Sequence, residues 1–403
     1  MFIGRSKEIQ SLNKFKDKHF IKILTGLRRC GKSSILQTIY SNINDNKIIY
    51  DFNDSRLVKK FSWEKLISDI ESKSIPDKIN YLFLDEIQEI KKFENCVITL
   101  FEHKTFKYDI YLTGSNSHMF SEELATLFTG RNIEFSIYPL TFQEIKNALF
   151  PEIDNEIFLN TYLKNGGLGN IIEVYNDEIT IKKILFNIMN DITTKDIIKR
   201  KNIVNIEMFL KIRNYVFLNF GRVLNSNNIA NYIQTNNHIV LPLTTILRYL
   251  TWLCESLLIY QVNFYDTKNK SVLKTKCKYY AGDLGLLNSI IGYDINLNRG
   301  YRIENLVFLQ LKSLDYEIYT SIDKNNHEID FIIKKNNEII YIQVAEILTD
   351  ENFERESRSL LEVKDAFKKI IICKVDNVTH LNNTGIKIIN LFEWLNGEVN
   401  FIY

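Results

Sequence analysis

Gly26-Leu27-Arg28-Arg29-Cys30-Gly31-Lys32-Ser33 fits G-x-x-x-x-G-K-[ST], the pattern of a phosphate-binding loop. The apolar run Phe20-Ile21-Lys22-Ile23-Leu24 before it suits a short buried strand. After it, Ser34 to Tyr40 has helical spacing, with Ile35, Leu36 and Ile39 on one face. The motif thus lies between a strand and a helix. There the glycines let successive N–H groups turn inward, and the new helix adds the positive end of its dipole. The candidate phosphate-binding residues are Gly26, Leu27, Arg28, Arg29, Cys30, Gly31, Lys32, Ser33 and Ser34. Lys32 is expected to reach the β and γ phosphates, and the Ser33 hydroxyl to ligate Mg²⁺.

Two further stretches belong with this loop. Tyr81-Leu82-Phe83-Leu84 followed by Asp85-Glu86 reads as a buried strand that delivers two acids at its carboxyl end, where ligands bind in open α/β sheets. Asp85 is expected to hold Mg²⁺ through water, and Glu86 to take a proton from the attacking water. Taken alone, an acidic pair after a strand is more often a solvated turn; the phosphate loop upstream favours the functional reading. Asp109 to Thr113 reads as another strand, ending in Gly114-Ser115-Asn116-Ser117. Ser115 and Asn116 are both candidates to sense the γ phosphate, and turn chemistry is the competing explanation. A helix from Ser121 to Phe128 follows, and then Arg131, either a surface residue or a finger for the γ phosphate of a neighbouring subunit. Phe2-Ile3-Gly4-Arg5, ahead of a helix with Glu8, Ile9, Leu12 and Phe15, either flanks the nucleotide base or packs on the sheet edge.

Composition bounds the rest. A chain of 403 residues exceeds one comfortable core, so two or three domains are expected. Its 45% hydrophobic and 25% charged residues indicate a globular, soluble protein, and the net charge of +2 points to neither nucleic acid nor membrane. The 5 cysteines form no C-x-x-C pair, which argues against a disulfide framework or a zinc site and for reduced thiols in a cytoplasm. No signal-peptide layout and no apolar stretch long enough for a membrane span is found.

GLRRCGKSS (26–34), YLFLDEIQ (81–88), YLTGSNSHMFSEELATLFTGR (111–131) and YPLTFQEI (138–145) together resemble the AAA-family ATPases of bacteria and archaea that carry an uncharacterised C-terminal domain. The likeness runs over nearly the whole chain. It implies an ATP- and Mg²⁺-binding α/β core over about 1–150, in which Lys32 and Ser33 bind nucleotide and magnesium and Asp85 and Glu86 form the second acidic motif. Asn116 or Ser115 is then the sensor, and Arg131 the finger of a homo-oligomer.

Over about 151–300 the pattern turns helical, matching the lid that such ATPases fold over the nucleotide. Within it, helices at Asn227–Ile233 and Pro242–Ser256 precede two strands, Leu257–Tyr265 and Val272–Tyr280, a winged-helix reading. Lys268, Lys270, Lys274, Lys276 and Lys278 on the wing, with Thr244, Thr245 and Arg248, are candidate DNA contacts, although alternating lysines on a hairpin are usually a solvated face. Over about 301–403 the order α-β-β-β-α-β, with Glu304 on the helix and Asp330 on the second strand, is similar to the restriction-endonuclease-like fold. Active members add an acid two residues before a lysine, and here those positions are Gln343 and Ala345. An eroded nuclease serving as a binding module, including for a protein partner, is the expectation; Glu346 and Lys364 are the residues that migration would recruit in an active one. The competing functions are an ATP-driven switch, a DNA- or partner-binding module shaped by nucleotide, and a metal-dependent nuclease.

Overall fold

The computed structural model describes residues 3–115, 130–237, 239–323, 325, 327–336, 338–377 and 384–401. Two compact units divide the chain: 1–139 with 255–257, and 140–254 with 258–403. The expected helix Ser121–Phe128 lies outside the described residues.

The first unit alternates helices and strands: α1 (Ser6–Asn13), β1 (Ile21–Gly26), α2 (Lys32–Ser41), β2 (Lys47–Asp51), α3 (Ser55–Lys60), α4 (Trp63–Lys73), β3 (Ile79–Asp85), α5 (Phe93–Phe101), β4 (Lys107–Gly114) and β5 (Asn132–Ile137). The strands form one parallel sheet in the order β2-β3-β4-β1-β5. Because β3 is covered on both faces, it reads as a continuous apolar run. Leu82 and Leu84 point into a core shared with Leu66, Ile70, Val97 and Leu100 of α4 and α5. Their neighbours Tyr81 and Phe83 point to the other face, where Phe83 stacks on Tyr111 at 4.9 Å and α2 buries Ile35, Leu36 and Ile39. Lys22 breaks the apolar run of β1 yet is fully buried. It is accommodated by an ion pair to Asp109 on β4, because a charge leaves water only with a partner.

Register puts the carboxyl ends of these strands on one edge. Asp51 pairs with Asp85, Leu84 with Leu112, Thr25 with Gly114, and Gly26 with Ile137. The crevice outside such an edge is where open α/β sheets bind ligands.

The second unit begins with α6 (Phe142–Leu149), α7 (Asn155–Asn165), α8 (Glu178–Asp191) and α9 (Ile206–Leu218). Next come β6 (Val223–Leu224), α10 (Ser226–Asn237), α11 (Leu243–Glu255), β7 (Ile259–Asp266), β8 (Ser271–Ala281), α12 (Leu284–Ile291) and α13 (Arg299–Ser313). It ends with β9 (Glu317–Ile322), β10 (Glu328–Lys335), β11 (Glu338–Thr349), α14 (Asp350–Glu362), β12 (Lys368–Asn377), β13 (Ile386–Asn390) and α15 (Leu391–Leu395). One sheet, ordered β13-β12-β11-β10-β9-β7-β8-β6, carries strands from both sides of residue 300, so no sheet boundary falls there. The β7–β8 hairpin is not free-standing: Phe264 pairs with Thr320 of β9, and β6 pairs with β8. Arg299 and Lys374 each bridge Glu156 of α7 and Glu346 of β11 at 2.7–3.1 Å, which ties the helices to the sheet.

The stretch Gly166-Gly167 meets the start of α12 backbone to backbone. The Gly167 amide donates to Asp283 at 2.8 Å, and a Cβ on Gly167 would stand 2.1 Å from the Leu140 carbonyl, so only glycine fits. Among the described residues no helix is long and apolar enough to cross a membrane.

Candidate nucleotide site

Gly26 ends β1 where the chain must turn close beneath β5. A Cβ there would sit 2.2 Å from the Ile137 carbonyl and 2.9 Å from Cys30 Sγ. Gly31, at φ 109°, then swings the backbone into α2. The loop is held from below by Arg5, which is 3% exposed. Its Nη2 donates to the carbonyls of Cys30 and Tyr138, each at 2.7 Å, so one guanidinium ties the loop to the chain leaving β5. Neither sequence expectation for this segment, flanking the base or packing on the sheet edge, includes the tether of Arg5 to the loop.

Lys32 opens α2, is itself buried, and turns its ammonium back over the loop. Nζ donates to the carbonyls of Gly26 at 2.9 Å and Leu27 at 3.3 Å, and lies 3.8 Å from Glu86 Oε1. Ser33 and Ser34 follow on the exposed face of the helix start, and the Ser33 hydroxyl hydrogen-bonds Asp85. The loop and the acidic strand end are therefore in direct contact across the sheet edge, although β4 separates β1 from β3.

Thr113 organises the acids. Its hydroxyl donates to Asp85 Oδ1 and accepts the Glu86 amide at 2.9 Å. Glu86 holds the left-handed backbone region at φ 52°, uncommon for a non-glycine residue, and its carboxylate also accepts from Gln88. Burial pushes the Asp85 carboxyl above the ordinary range. The hydrogen bonds from Thr113 and Ser33 pull the other way, and the charges of Glu86 and Asp51 add to the rise. A hydroxyl paired with a buried carboxylate, crowded by further carboxylates, is an oxygen donor set that suits a hard cation such as Mg²⁺.

Ser115, just past the end of β4, is 2% exposed, and its hydroxyl has no hydrogen-bond partner among the described residues. Asn116, the other sensor candidate, lies outside the described residues. Arg131 lies at the opposite edge of the sheet from the loop. Its carbonyl accepts from Ile21 at the start of β1, about 16 Å of strand from Gly26, and its guanidinium pairs with Glu102 at 2.5 Å.

A second polar cluster forms in the sheet of the second unit. Glu304 and Asp330 come together around Lys278, whose Nζ is 2.8 Å from Glu304, 2.8 Å from Glu328 and 3.8 Å from Asp330. Tyr280 donates to Glu304, and Asp330 accepts the Val344 amide at 2.8 Å. Lys278 was expected as an exposed DNA contact. It is instead 1% exposed, because its side of β8 faces the buried carboxylates. Burial disfavours its charge, and Glu304, Asp330 and Glu328 outweigh that, holding its pKa well above the usual value. Ala345 packs in the apolar core, Glu346 pairs with Arg299 and Lys374, and Lys364 is exposed on the surface. The lysine brought to Glu304 and Asp330 thus comes from β8, not from either residue that migration was expected to recruit. Lys268, Lys270 and Lys276 are exposed.

Residues 18–146 match the family described as an AAA domain, and residues 158–296 match a domain of unknown function, DUF8612. An uncharacterised protein of Haemophilus influenzae is 33% identical over 416 residues, covering 98% of this chain and 98% of its own. An uncharacterised protein of Methanocaldococcus jannaschii is 30% identical over 372 residues, covering 89% of this chain and 80% of its own. Among solved structures, the RuvB Holliday junction branch migration motor of Thermotoga maritima is similar over 65% of this chain and 90% of its own, with a TM-score of 0.36 and 15% identity.

Proposed function

The chain belongs to the AAA family of P-loop ATPases, and we propose that it is a Mg²⁺-dependent, ATP-hydrolysing molecular switch. The observation that carries this is the contact of Ser33 with Asp85, with Lys32 and Glu86 3.8 Å apart beside it. In this reading the loop amides from Leu27 to Ser34 cradle the phosphates and Lys32 takes the charge of the terminal ones. Mg²⁺, when bound, neutralises phosphate charge and would be held by Ser33 and, through water, by Asp85. Glu86 orients water and takes its proton, and Ser115 or Asn116 reports the γ phosphate. Arg131, on the far edge of its own sheet, serves only a neighbouring copy, so the finger role requires a homo-oligomer. The five free thiols accord with a reducing cytoplasm.

The test is ATP turnover with Mg²⁺ in the wild type, Lys32→Ala and Glu86→Gln. Glu86→Gln is expected to lose roughly 10²-fold or more in kcat while still binding ATP, and Lys32→Ala to lose binding. Turnover that survives both substitutions would remove this reading. A mass measurement in ATP, with wild type and Arg131→Ala, tests the assembly.

A second reading, a DNA-binding module shaped by nucleotide, is favoured by the exposed Lys268, Lys270 and Lys276 on the β7–β8 hairpin. Binding to duplex DNA at low salt that falls with salt, and less steeply after lysine replacement, would support it. A working nuclease is disfavoured because Ala345 offers no ligand and Lys278 fills the space between the carboxylates.

A further inference from the structure

The turn joining β9 to β10 carries Asp323 and His327, and α14 ends at Glu362. We propose that these three side chains hold one divalent transition-metal ion of the zinc class, with an open coordination position facing a cavity of about 590 Å³ that admits an anionic ligand.

The spacing is that of ligands around a single small cation. His327 Nδ1 is 3.0 Å from Asp323 Oδ2 and 3.1 Å from Glu362 Oε1, and one donor atom from each residue lies within 4.8 Å of the others. Tetrahedral bonds of about 2.0–2.1 Å set neighbouring donors about 3.3 Å apart, so a few tenths of an ångström separate the observed set from a ligating one. The carboxyl groups of Asp323 and Glu362 also lie within hydrogen-bonding reach of each other. Two carboxyl groups so placed share either a proton or a cation, and a divalent ion between them would satisfy both together with the imidazole. One imidazole with two carboxylates selects zinc and its first-row neighbours over magnesium or calcium, which take all-oxygen sets.

The turn pre-orients its carboxylate. Asp323 Oδ1 accepts the amides of Asn325 at 2.7 Å and His327 at 2.8 Å, and the Asp323 amide donates to the His327 carbonyl at 2.9 Å. Oδ2 is thereby left for the ion, as outer-shell hydrogen bonds leave it in other metal sites. The cavity lies between this turn, the end of α14 and the β7–β8 hairpin. Phe264, Leu273 and Ile329 give it apolar walls, and Lys268 and Lys276 line it as well. Asp323 and Glu362 neutralise a divalent ion, and Lys268 and Lys276 outweigh Asp266, the other carboxylate in the lining, so the loaded cavity keeps one net positive charge and suits a carboxylate or phosphate on a small molecule. None of these residues belongs to the phosphate loop or to the Lys278 cluster.

The test uses the full chain without an affinity tag, stripped of metal and titrated with Co²⁺ as a visible probe. One equivalent is expected to give the d–d bands of a low-symmetry site, to be displaced by one equivalent of Zn²⁺, and to bind at least tenfold more weakly in His327→Ala and in Glu362→Gln. Circular dichroism of each variant separates metal loss from unfolding. Inorganic phosphate is expected to shift the Co²⁺ spectrum, and to do so at least tenfold less tightly in the Lys268→Ala/Lys276→Ala double variant. Sub-stoichiometric Co²⁺, or binding equal in wild type and both ligand variants, would overturn the metal site. A spectrum unmoved by phosphate would overturn the open position.

Discussion

Lys278 Nζ lies 2.8 Å from Glu304 Oε1, joining a lysine expected on a DNA-facing surface to a glutamate expected as the remnant of a metal site. Three carboxylates face this one ammonium, and burial raises the pKa of Glu328 and, well above its usual value, that of Asp330. Burial works against the charges of these carboxylates and the Lys278 ammonium offsets it, so the integrity of the cluster depends on the lysine.

Lys278→Met is expected to cost about 3–5 kcal/mol at neutral pH, because it strands buried carboxylates without a partner. Urea unfolding measures it. The double variant with Glu304→Gln should lose less than the two single losses added together. A cost under about 1 kcal/mol for the single variant would contradict the pairing.

Thr113→Val keeps shape but removes the hydroxyl that serves both Asp85 and the Glu86 amide. ATP turnover should fall roughly 10- to 100-fold while nucleotide affinity moves by less than about threefold, since the loss is one of orientation. Thr113→Ser restores the rate if the hydroxyl is what matters; equal losses in both variants would argue against that role.

Arg5→Lys replaces a planar fork with a point charge that does not span the Cys30 and Tyr138 carbonyls in the same way. Calorimetry is expected to show ATP binding weakened roughly 10- to 100-fold, matching the loss of one charge-assisted hydrogen bond of about 1.5–3 kcal/mol. Unchanged affinity would mean that the tether is not needed to shape the loop.

Asp283 is enclosed, and burial pushes its carboxyl up to about 6, although the amides of Gly167, Leu286 and Gly285 pull the other way. The unfolded carboxyl titrates near 3.9, so between about pH 4 and 6 the folded chain holds more of this proton. Stability from this group is accordingly full below about pH 4 and is lost as pH rises through 6, by up to about 3 kcal/mol. Unfolding free energies of wild type and Asp283→Asn, compared at pH 4.5, 5.5 and 7, should show that slope in the wild type only.

The strand and helix spans of both units were largely legible, because hydrophobic period is a local property. β3 appears as Tyr81-Leu82-Phe83-Leu84 ending in two acids, and α14 as the second helix of the α-β-β-β-α-β order. The phosphate loop was legible for the same reason: its chemistry requires consecutive amides, so its residues are consecutive. What lay beyond reach were partners distant in sequence. Nothing in the order of residues says that Lys22 meets Asp109, that Arg5 meets Cys30, or that the lysine beside Asp330 comes from position 278. Sequence alone determined the local elements and the nucleotide motif. Tertiary structure alone decided which charges are buried together, because a buried charge is tolerable only where the packed fold brings it a counter-charge or hydrogen-bond partners.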